Sequence, residues 1–340
     1  MQTLFSLWSE WRTAQQRLAD TFAESKMPTK KLTFESACDS FKKRAHALGV
    51  YQAALRLMRW VRAEQTVPMR RTYVVTGAAS GIGAAMAYYC RRRGGRVIAC
   101  DLHDADVVAD LTTAEGRAAL VDEVARLSEG RIDAIVANAG GGPPETSLSL
   151  NFFGAVATLE GLRPLLKASP APRAVAVSSV AALRTPISGL VEACLNMDEA
   201  AAVAAARSAT AAARRNPADP NALPGSEQAA LNLYGTAKYA LQLWCRRAAP
   251  KPEWAGAGIV LNVISFGVFD TPGAAPILSD PNWSAAMGRL VPLRGAYPGR
   301  PEEAAAALFW CVSAGNSQMT GQILYIDGGI ECQARGERSQ

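Results

Sequence analysis

The 340-residue chain carries 36 Lys and Arg against 30 Asp and Glu, is 49% hydrophobic, and holds seven Cys and two His. This composition describes a globular protein with ample material for a large core and excludes disordered, collagenous and disulfide-scaffold classes. No run of about 18 apolar residues exists, so no membrane span is expected. The cysteines form no CxxC pair and no secretory leader precedes them, which points to reduced packing thiols in a cytoplasmic protein. His46 and His103 lack Cys or acidic partners at ligand spacing, so no metal is expected.

Residues 1–68 differ from the remainder. They hold five of the eight lysines, three of the seven tryptophans, one of the 28 glycines, and +5 of the net +6 charge. Phe41, Ala45, Leu48, Tyr51, Leu55 and Met58 recur at helical spacing among Lys42, Lys43, Arg44, Arg56, Arg59 and Arg62, which reads as a basic amphipathic helix. Three readings stay open: a helix on an acidic membrane surface or partner protein through 41–62, a solvated helix beside the following domain, or a stretch not translated because synthesis starts at Met69. Nucleic acid is not an expected partner. A helical N-terminal extension (1–68), one catalytic domain (69–333) and a polar tail (334–340) are the expected units.

The run Tyr73-Val74-Val75 leads into Thr76-Gly77-Ala78-Ala79-Ser80-Gly81-Ile82-Gly83 and then Ala84-Ala85-Met86-Ala87, a strand, a glycine turn and a helix. Glycines spaced G-x-x-x-G-x-G let the backbone approach a pyrophosphate, whose charge meets the N–H groups and positive dipole end of the helix. Gly77, Ser80, Gly81, Ile82 and Gly83 are therefore expected to bind a dinucleotide. Asp101 ends the next strand, 18 residues beyond Gly83, where a carboxylate bonds the ribose hydroxyls and repels a 2′-phosphate. Ala78, Ala79 and Ser80 include no basic residue, so NAD is favoured over NADP, with Arg91-Arg92-Arg93 read as a solvated helix end.

Strands are expected at Tyr73–Thr76, Arg96–Cys100, Ala134–Ala137, Ala174–Ser178, Ile259–Ile264 and Gln322–Ile326. Alternation with helical patterns implies a doubly wound, Rossmann-like α/β parallel sheet covered on both faces. The alanine-rich stretch Asp198–Arg215 reads as a helix. Tyr234 and Lys238 stand four apart, on one helix face. A phenol with a pKa near 10 is a poor acid-base catalyst at neutral pH, and an adjacent ammonium favours its phenolate.

These motifs, with Asn138-Ala139-Gly140, Asn151-Phe152-Phe153-Gly154, Ser178-Ser179-Val180 and Asp327-Gly328-Gly329 in order, resemble the short-chain dehydrogenases/reductases over residues 70–330. Asp104–Arg117 and the long gap from Ser179 to Tyr234 resemble the bacterial 3α-hydroxysteroid dehydrogenase/carbonyl reductase group within it. The resemblance implies that Asp110 and Leu111 lie beside the adenine and that Asn138, Ala139, Gly140, Tyr234, Lys238 and Thr271 complete the cofactor site. It implies Asn151, Ser179, Tyr234 and Lys238 as the catalytic set, with Ser178 a near-equal rival to Ser179, and a homodimer or other homo-oligomer. Phe266 stands where the family carries proline, which leaves that turn less rigid.

The gap implies a helical insert over about 183–228, placed to cover a subunit interface or to form one wall of the substrate cleft. Phe269, Ile277, Leu278, Trp283, Met287 and Leu290 are candidates for an apolar lid. No Arg pair stands out for a carboxylate, so a small lipophilic secondary alcohol or a ketone or aldehyde is the expected substrate, a hydroxysteroid at the level of the group. Two rivals are an epimerase acting on a sugar nucleotide, for which the chain leaves little room, and a non-catalytic NAD-sensing or scaffold protein.

Overall fold

The computed structural model describes residues 71–187, 189–215 and 225–337, with the side chains of 212–215 and 225–229 left aside. The N-terminal extension, including the basic amphipathic helix expected at 41–62, His46 and Cys38, lies outside the described residues, as do the last three residues of the tail.

Seven strands form one parallel sheet: β1 (Thr72–Thr76), β2 (Arg96–Asp101), β3 (Val107–Val108), β4 (Ala134–Ala137), β5 (Arg173–Ser179), β6 (Val260–Phe266) and β7 (Ile323–Ile326). Their order is β3-β2-β1-β4-β5-β6-β7, so the chain reverses direction across the sheet between β1 and β4. Successive side chains of a strand point to opposite faces, and here both faces are buried. Val74, Ile98, Ile135 and Ala174 pack against α2 (Ala114–Leu127) and α3 (Ala155–Leu162) through Leu120, Val124 and Leu159. Tyr73, Val75, Val136 and Val177 pack on the opposite face against α1 (Gly81–Arg92) and α9 (Pro301–Val312) through Met86, Cys90 and Leu308. Each fully buried Leu or Ile contributes roughly 2 kcal/mol. Leu159, Leu308 and Ile135 are all at 0% exposure. Near-continuous apolar strands, rather than alternating ones, follow from burial on two sides.

The expected strands all form. β3 was not expected, because two residues carry no readable period. The arginine run at 91–93 ends α1 exposed, with the Arg93 guanidinium 3.6 Å from the Tyr89 ring centroid. Cys90, Cys100, Cys194, Cys245 and Cys311 are buried free thiols, and burial pushes Cys90 up to about 12, so they act as packing residues. Among the described residues no helix is long and apolar enough to cross a membrane.

At the end of the sheet remote from the glycine turn, Arg71 donates through Nη2 to Asp133 O (3.0 Å), Ala171 O (2.9 Å) and Val312 O (3.0 Å). Asp133 in turn accepts from Thr72 N at 2.9 Å and from Ser169 Oγ at 2.6 Å. The guanidinium thereby ties β1 to the last turn of α9, where cationic groups meet the negative end of the helix dipole.

The insert before the tyrosine helix contains α4 (Leu190–Leu195) and α5 (Glu199–Arg215). Six residues are too few to announce α4 by period. Asp198 precedes α5, and its Oδ1 accepts from Ala201 N at 2.9 Å, the N-cap geometry that sets the start of a helix. Leu190, Cys194, Ala202 and Ala206 join Leu233 and Ala237 of α6 (Gly225–Ala248) in the core. Their packing makes the insert part of the core cluster that also contains α6. Beyond β6, α7 (Ala275–Leu278) and α8 (Pro281–Arg289) keep Ile277, Leu278, Trp283 and Met287 half-buried, with Leu290 exposed. Phe269 is not with them: it is 8% exposed and packs edge-on against Phe266 at 5.1 Å, in the core. The expected polar tail begins inside α10 (Ile330–Arg335). That helix forms because Asp327 accepts from Gly329 N and Glu331 N, both at 2.8 Å, and Arg335 pairs with Glu331 at 3.3 Å.

Candidate active site

At the carboxyl end of β1 the chain turns through Gly77 (φ +68°) and Gly81 (φ +53°), values that glycine adopts without strain. Gly83 is needed for closeness: a Cβ there would stand 2.6 Å from the Gly77 carbonyl carbon and 2.7 Å from Asn138 Nδ2. Asn138 braces the turn from β4, donating through Nδ2 to Thr76 O (3.0 Å) and Gly77 O (3.3 Å). Thr76 Oγ1 returns the bond by accepting from Asn138 N and Ala139 N, each at 3.0 Å. Sequence reasoning missed Thr76, although its place beside the first glycine was a usable signal. Exposed Ser80 precedes α1 in extended conformation, and no acidic residue sits in the first turn. The N–H groups of Gly81, Ile82 and Gly83 therefore face the mouth with the positive dipole end and without intrahelical acceptors.

Asp101 closes the turn from β2: Oδ2 accepts from Ala79 N (2.8 Å) and Oδ1 from Leu102 N (2.7 Å). Asp110 uses Oδ1 to accept from Thr112 N (2.9 Å) and Thr112 Oγ1 (2.7 Å), shaping the turn into α2, while Leu111 is buried. Thr271, beyond β6, touches the same mouth, since a Cβ on Gly81 would meet its Cβ and Cγ2 at 3.2 Å. The turn before Thr271 is well braced without proline: Phe266 pairs with Ser179 and Ile326, and Gly267 N donates to Ile326 O at 3.0 Å.

On the adjoining side, Ser179 ends β5, and its hydroxyl stands close enough to the Tyr234 phenol to pull the phenol's pKa down. Ser179 Oγ also accepts from Ala181 N at 3.2 Å, which fixes the hydroxyl at the head of the turn Val180–Leu183. Its rival Ser178 is committed elsewhere: its Oγ donates to Lys238 O (3.3 Å) and accepts from Gln242 Nε2 (3.0 Å). Lys238 Nζ lies 5.7 Å from the Tyr234 ring centroid and donates to Val177 O at 2.9 Å. Burial decides both ionisations. It raises the Tyr234 phenol above 10, with the Ser179 hydroxyl pulling it partly back, and lowers the Lys238 ammonium to about 8. The phenol is thus raised by desolvation rather than lowered as expected, with Ser179 and not the lysine as the group that pulls it back. Gln242 went unnoticed in the sequence; standing one helical turn beyond Lys238, it bonds Ser178 and, at 3.4 Å, Ser265 Oγ, locking α6 on the sheet.

Asn151 sits on a π-helical turn, Ser149–Gly154, that runs into α3. Its Nδ2 donates to Gly141 O (2.9 Å) and Ser147 O (2.8 Å), and its Oδ1 accepts from Gly141 N (3.0 Å). A Cβ on Gly140 would stand 2.8 Å from Asn151 Oδ1 and 3.0 Å from Lys238 Nζ, so Asn151 and Lys238 flank the bare Gly140 Cα. Asn151, Ser179, Tyr234 and Lys238 thus border one region, adjoining the glycine mouth formed by Gly77–Gly83, Asn138 and Thr271.

A doubly wound sheet with a glycine turn at its switch point and a Ser-Tyr-Lys group beside it defines a dinucleotide-dependent oxidoreductase. Residues 71–191 match the family model of the short chain dehydrogenases, and residues 225–331 match the model described as enoyl-(acyl carrier protein) reductase. The chain is 34% identical over 272 residues to a 3-alpha-hydroxysteroid dehydrogenase/carbonyl reductase of Comamonas testosteroni, covering 77% of this chain and 97% of the relative. A cis-4-hydroxycyclohexanecarboxylate dehydrogenase of Sinomonas cyclohexanicum is 31% identical over 279 residues, 76% of this chain and 96% of the relative. Among solved structures, a 3-alpha-hydroxysteroid dehydrogenase from Pseudomonas sp. B-0831 complexed with NADH superposes with a TM-score of 0.67 at 32% identity, covering 79% and 100% of the two chains. The Pseudomonas aeruginosa RhlG/NADP complex gives 0.57 at 26% identity, covering 76% and 96%. The chain belongs to the short-chain dehydrogenase/reductase family, nicotinamide-dependent oxidoreductases that act on CH–OH groups.

Proposed function

We propose that this protein is an NAD-dependent oxidoreductase interconverting a lipophilic secondary alcohol and its ketone, with hydroxysteroids and related cyclic alcohols as the first class to test. The observation that carries the reading is the grouping of the Ser179 hydroxyl beside the Tyr234 phenol with the Lys238 ammonium 5.7 Å from the phenol ring. Tyr234 exchanges the hydroxyl proton, Ser179 donates to the substrate oxygen as charge develops there, and Lys238 supplies the positive charge that offsets the desolvation of the phenolate. Bound NAD supplies the hydride acceptor. Gly77, Ser80, Gly81, Ile82, Gly83, Asp101, Asp110, Leu111, Asn138, Ala139, Gly140 and Thr271 are the residues to hold it. A Cβ at Gly83 would collide with the Gly77 carbonyl, so glycine there lets the turn close onto the start of α1 and present its N–H groups to a pyrophosphate, which is the fit such a group needs. No residue of the site favours a non-catalytic NAD-sensing or scaffold role. Activity on steroid, alicyclic and aliphatic alcohols with NAD, followed at the nicotinamide absorbance, tests the reading; no turnover with any of them would overturn it.

The preference for NAD rests on Asp101, a carboxylate at the β2 end with no basic residue between Ala78 and Ser80. Asp101→Ala is expected to weaken NADH binding roughly tenfold, the loss of one or two charge-assisted hydrogen bonds. NADPH affinity is the internal control, because the Ala79 amide loses its acceptor with either cofactor, and it should stay level or improve. Equal or better kcat/KM with NADP in the unaltered chain would defeat the preference.

Residues 1–68 are expected to be dispensable for turnover. Arg71, which anchors β1 through three carbonyls, survives in a chain beginning at Met69. That chain should keep kcat/KM within a few-fold, less than about 1 kcal/mol in the barrier. Insolubility, or loss of activity with NADH binding retained, would show instead that the basic segment packs on the domain or closes its substrate cleft. A cytoplasmic location and a homo-oligomer complete the reading, the latter to be read from the mass in solution.

A further inference from the structure

Arg117 of α2 is largely buried, at 12% side-chain exposure, and every nitrogen of its guanidinium group is used. Nε donates to Leu111 O at 2.8 Å, in the turn that precedes α2. Nη2 donates to Ser149 O at 2.9 Å, the first residue of the π-helical turn, and more weakly to Thr112 O at 3.3 Å. Nη1 and Nη2 together grip the Glu199 carboxylate at 2.7 and 2.8 Å, a two-pronged pair that fixes the plane of the guanidinium. Glu199 is the first residue of α5, so it is supplied by the insert. Burial opposes its ionisation, but hydrogen bonds from Arg117 and Ser149 hold its carboxyl below the usual range.

A π-helical turn departs from the i→i−4 ladder, so a donor from outside the helix helps to hold its carbonyls in place. Arg117 supplies such a donor two residues before Asn151, whose side chain packs against Gly140 and Gly141 next to Lys238. Without Glu199 the guanidinium is a largely buried cation with only carbonyl acceptors, free to leave Ser149 for water.

We propose that the Arg117–Glu199 pair is a positioning device, through which the insert holds the π-helical turn and thereby sets Asn151 against Lys238. Neither residue touches the reacting atoms, and the insert is consequently a working part of the site rather than a passive addition to the family fold. The inference rests on the oxidoreductase reading above. In the full chain, Glu199→Ala is expected to lower kcat roughly 10- to 100-fold, as a displacement of about 1 Å in a catalytic group does. The Kd for NADH, read from its fluorescence, should stay within about threefold, and so should kcat in Glu199→Gln, which keeps one hydrogen bond to Arg117. Arg117→Lys gives a second variant that keeps the charge but loses the fork, and it should share the kcat defect. Unchanged kcat in Glu199→Ala, whatever its Tm, overturns the proposal, because loss of stability alone leaves each folded molecule fully active. Equal kcat loss in Glu199→Ala and Glu199→Gln also overturns it. If the unaltered chain neither binds NADH nor turns over an alcohol, it is the oxidoreductase reading that fails.

Discussion

Tyr234→Phe is expected to lower kcat/KM roughly 10³-fold, about 4 kcal/mol in the barrier, while the Kd for NADH stays within about twofold. The substitution deletes one hydroxyl and keeps the ring, so the packing of α6 and the 5.7 Å relation to Lys238 Nζ persist. What disappears is the proton donor that stands beside Ser179. Steady-state kinetics on a good alcohol, with NADH fluorescence titration alongside, checks both halves. Substantial residual turnover would mean that another group carries the proton, and a parallel loss of NADH binding would mean that the residue acts by holding the site together.

Gly83→Ala should be nearly as damaging by a different route. The added methyl would be forced against the Gly77 carbonyl and within 2.7 Å of Asn138 Nδ2, both in the brace that ties the β1 and β4 ends together. Neither neighbour is the free end of a flexible chain, so the turn must move. Overpacking of this kind costs about 3 kcal/mol, which corresponds to a rise of roughly 100-fold in the Kd for NADH. Circular dichroism and Tm separate a displaced turn from an unfolded domain. Wild-type affinity in Gly83→Ala would show that α1 can retreat from the turn without consequence.

The sequence alone made the site legible where a short segment does its own chemistry. Gly77, Gly81 and Gly83 announce a turn because no other residue combines left-handed φ with such close approach. Tyr234 and Lys238 announce a shared helix face because their spacing is the helical period. Apolar strands buried on both sides needed only composition and length. β3 and α4, at two and six residues, were too short to carry a period at all. The lid was over-read at Phe269, because nothing local says whether an aromatic ring after a strand turns outward or, as here, into the core against Phe266.

Choices between equivalent neighbours were left to tertiary structure. Ser178 and Ser179 are identical in the sequence and adjacent on β5, where consecutive side chains face opposite ways. Only the fold sends Ser178 to Gln242 and Lys238 O and leaves Ser179 beside the phenol. Burial likewise reverses the expected direction for Tyr234, since desolvation depends on everything packed around it rather than on the lysine four residues away. Nothing in the sequence pairs Arg117 with Glu199, 82 residues apart; α2 and the insert bring them within 2.7 Å. Local geometry is written in local spacing, so the strands, the glycine turn and the Tyr-Lys pair were determined by sequence; partners distant along the chain meet only when the sheet and its helices close, and that closure decided which serine faces Tyr234 and what holds Asn151.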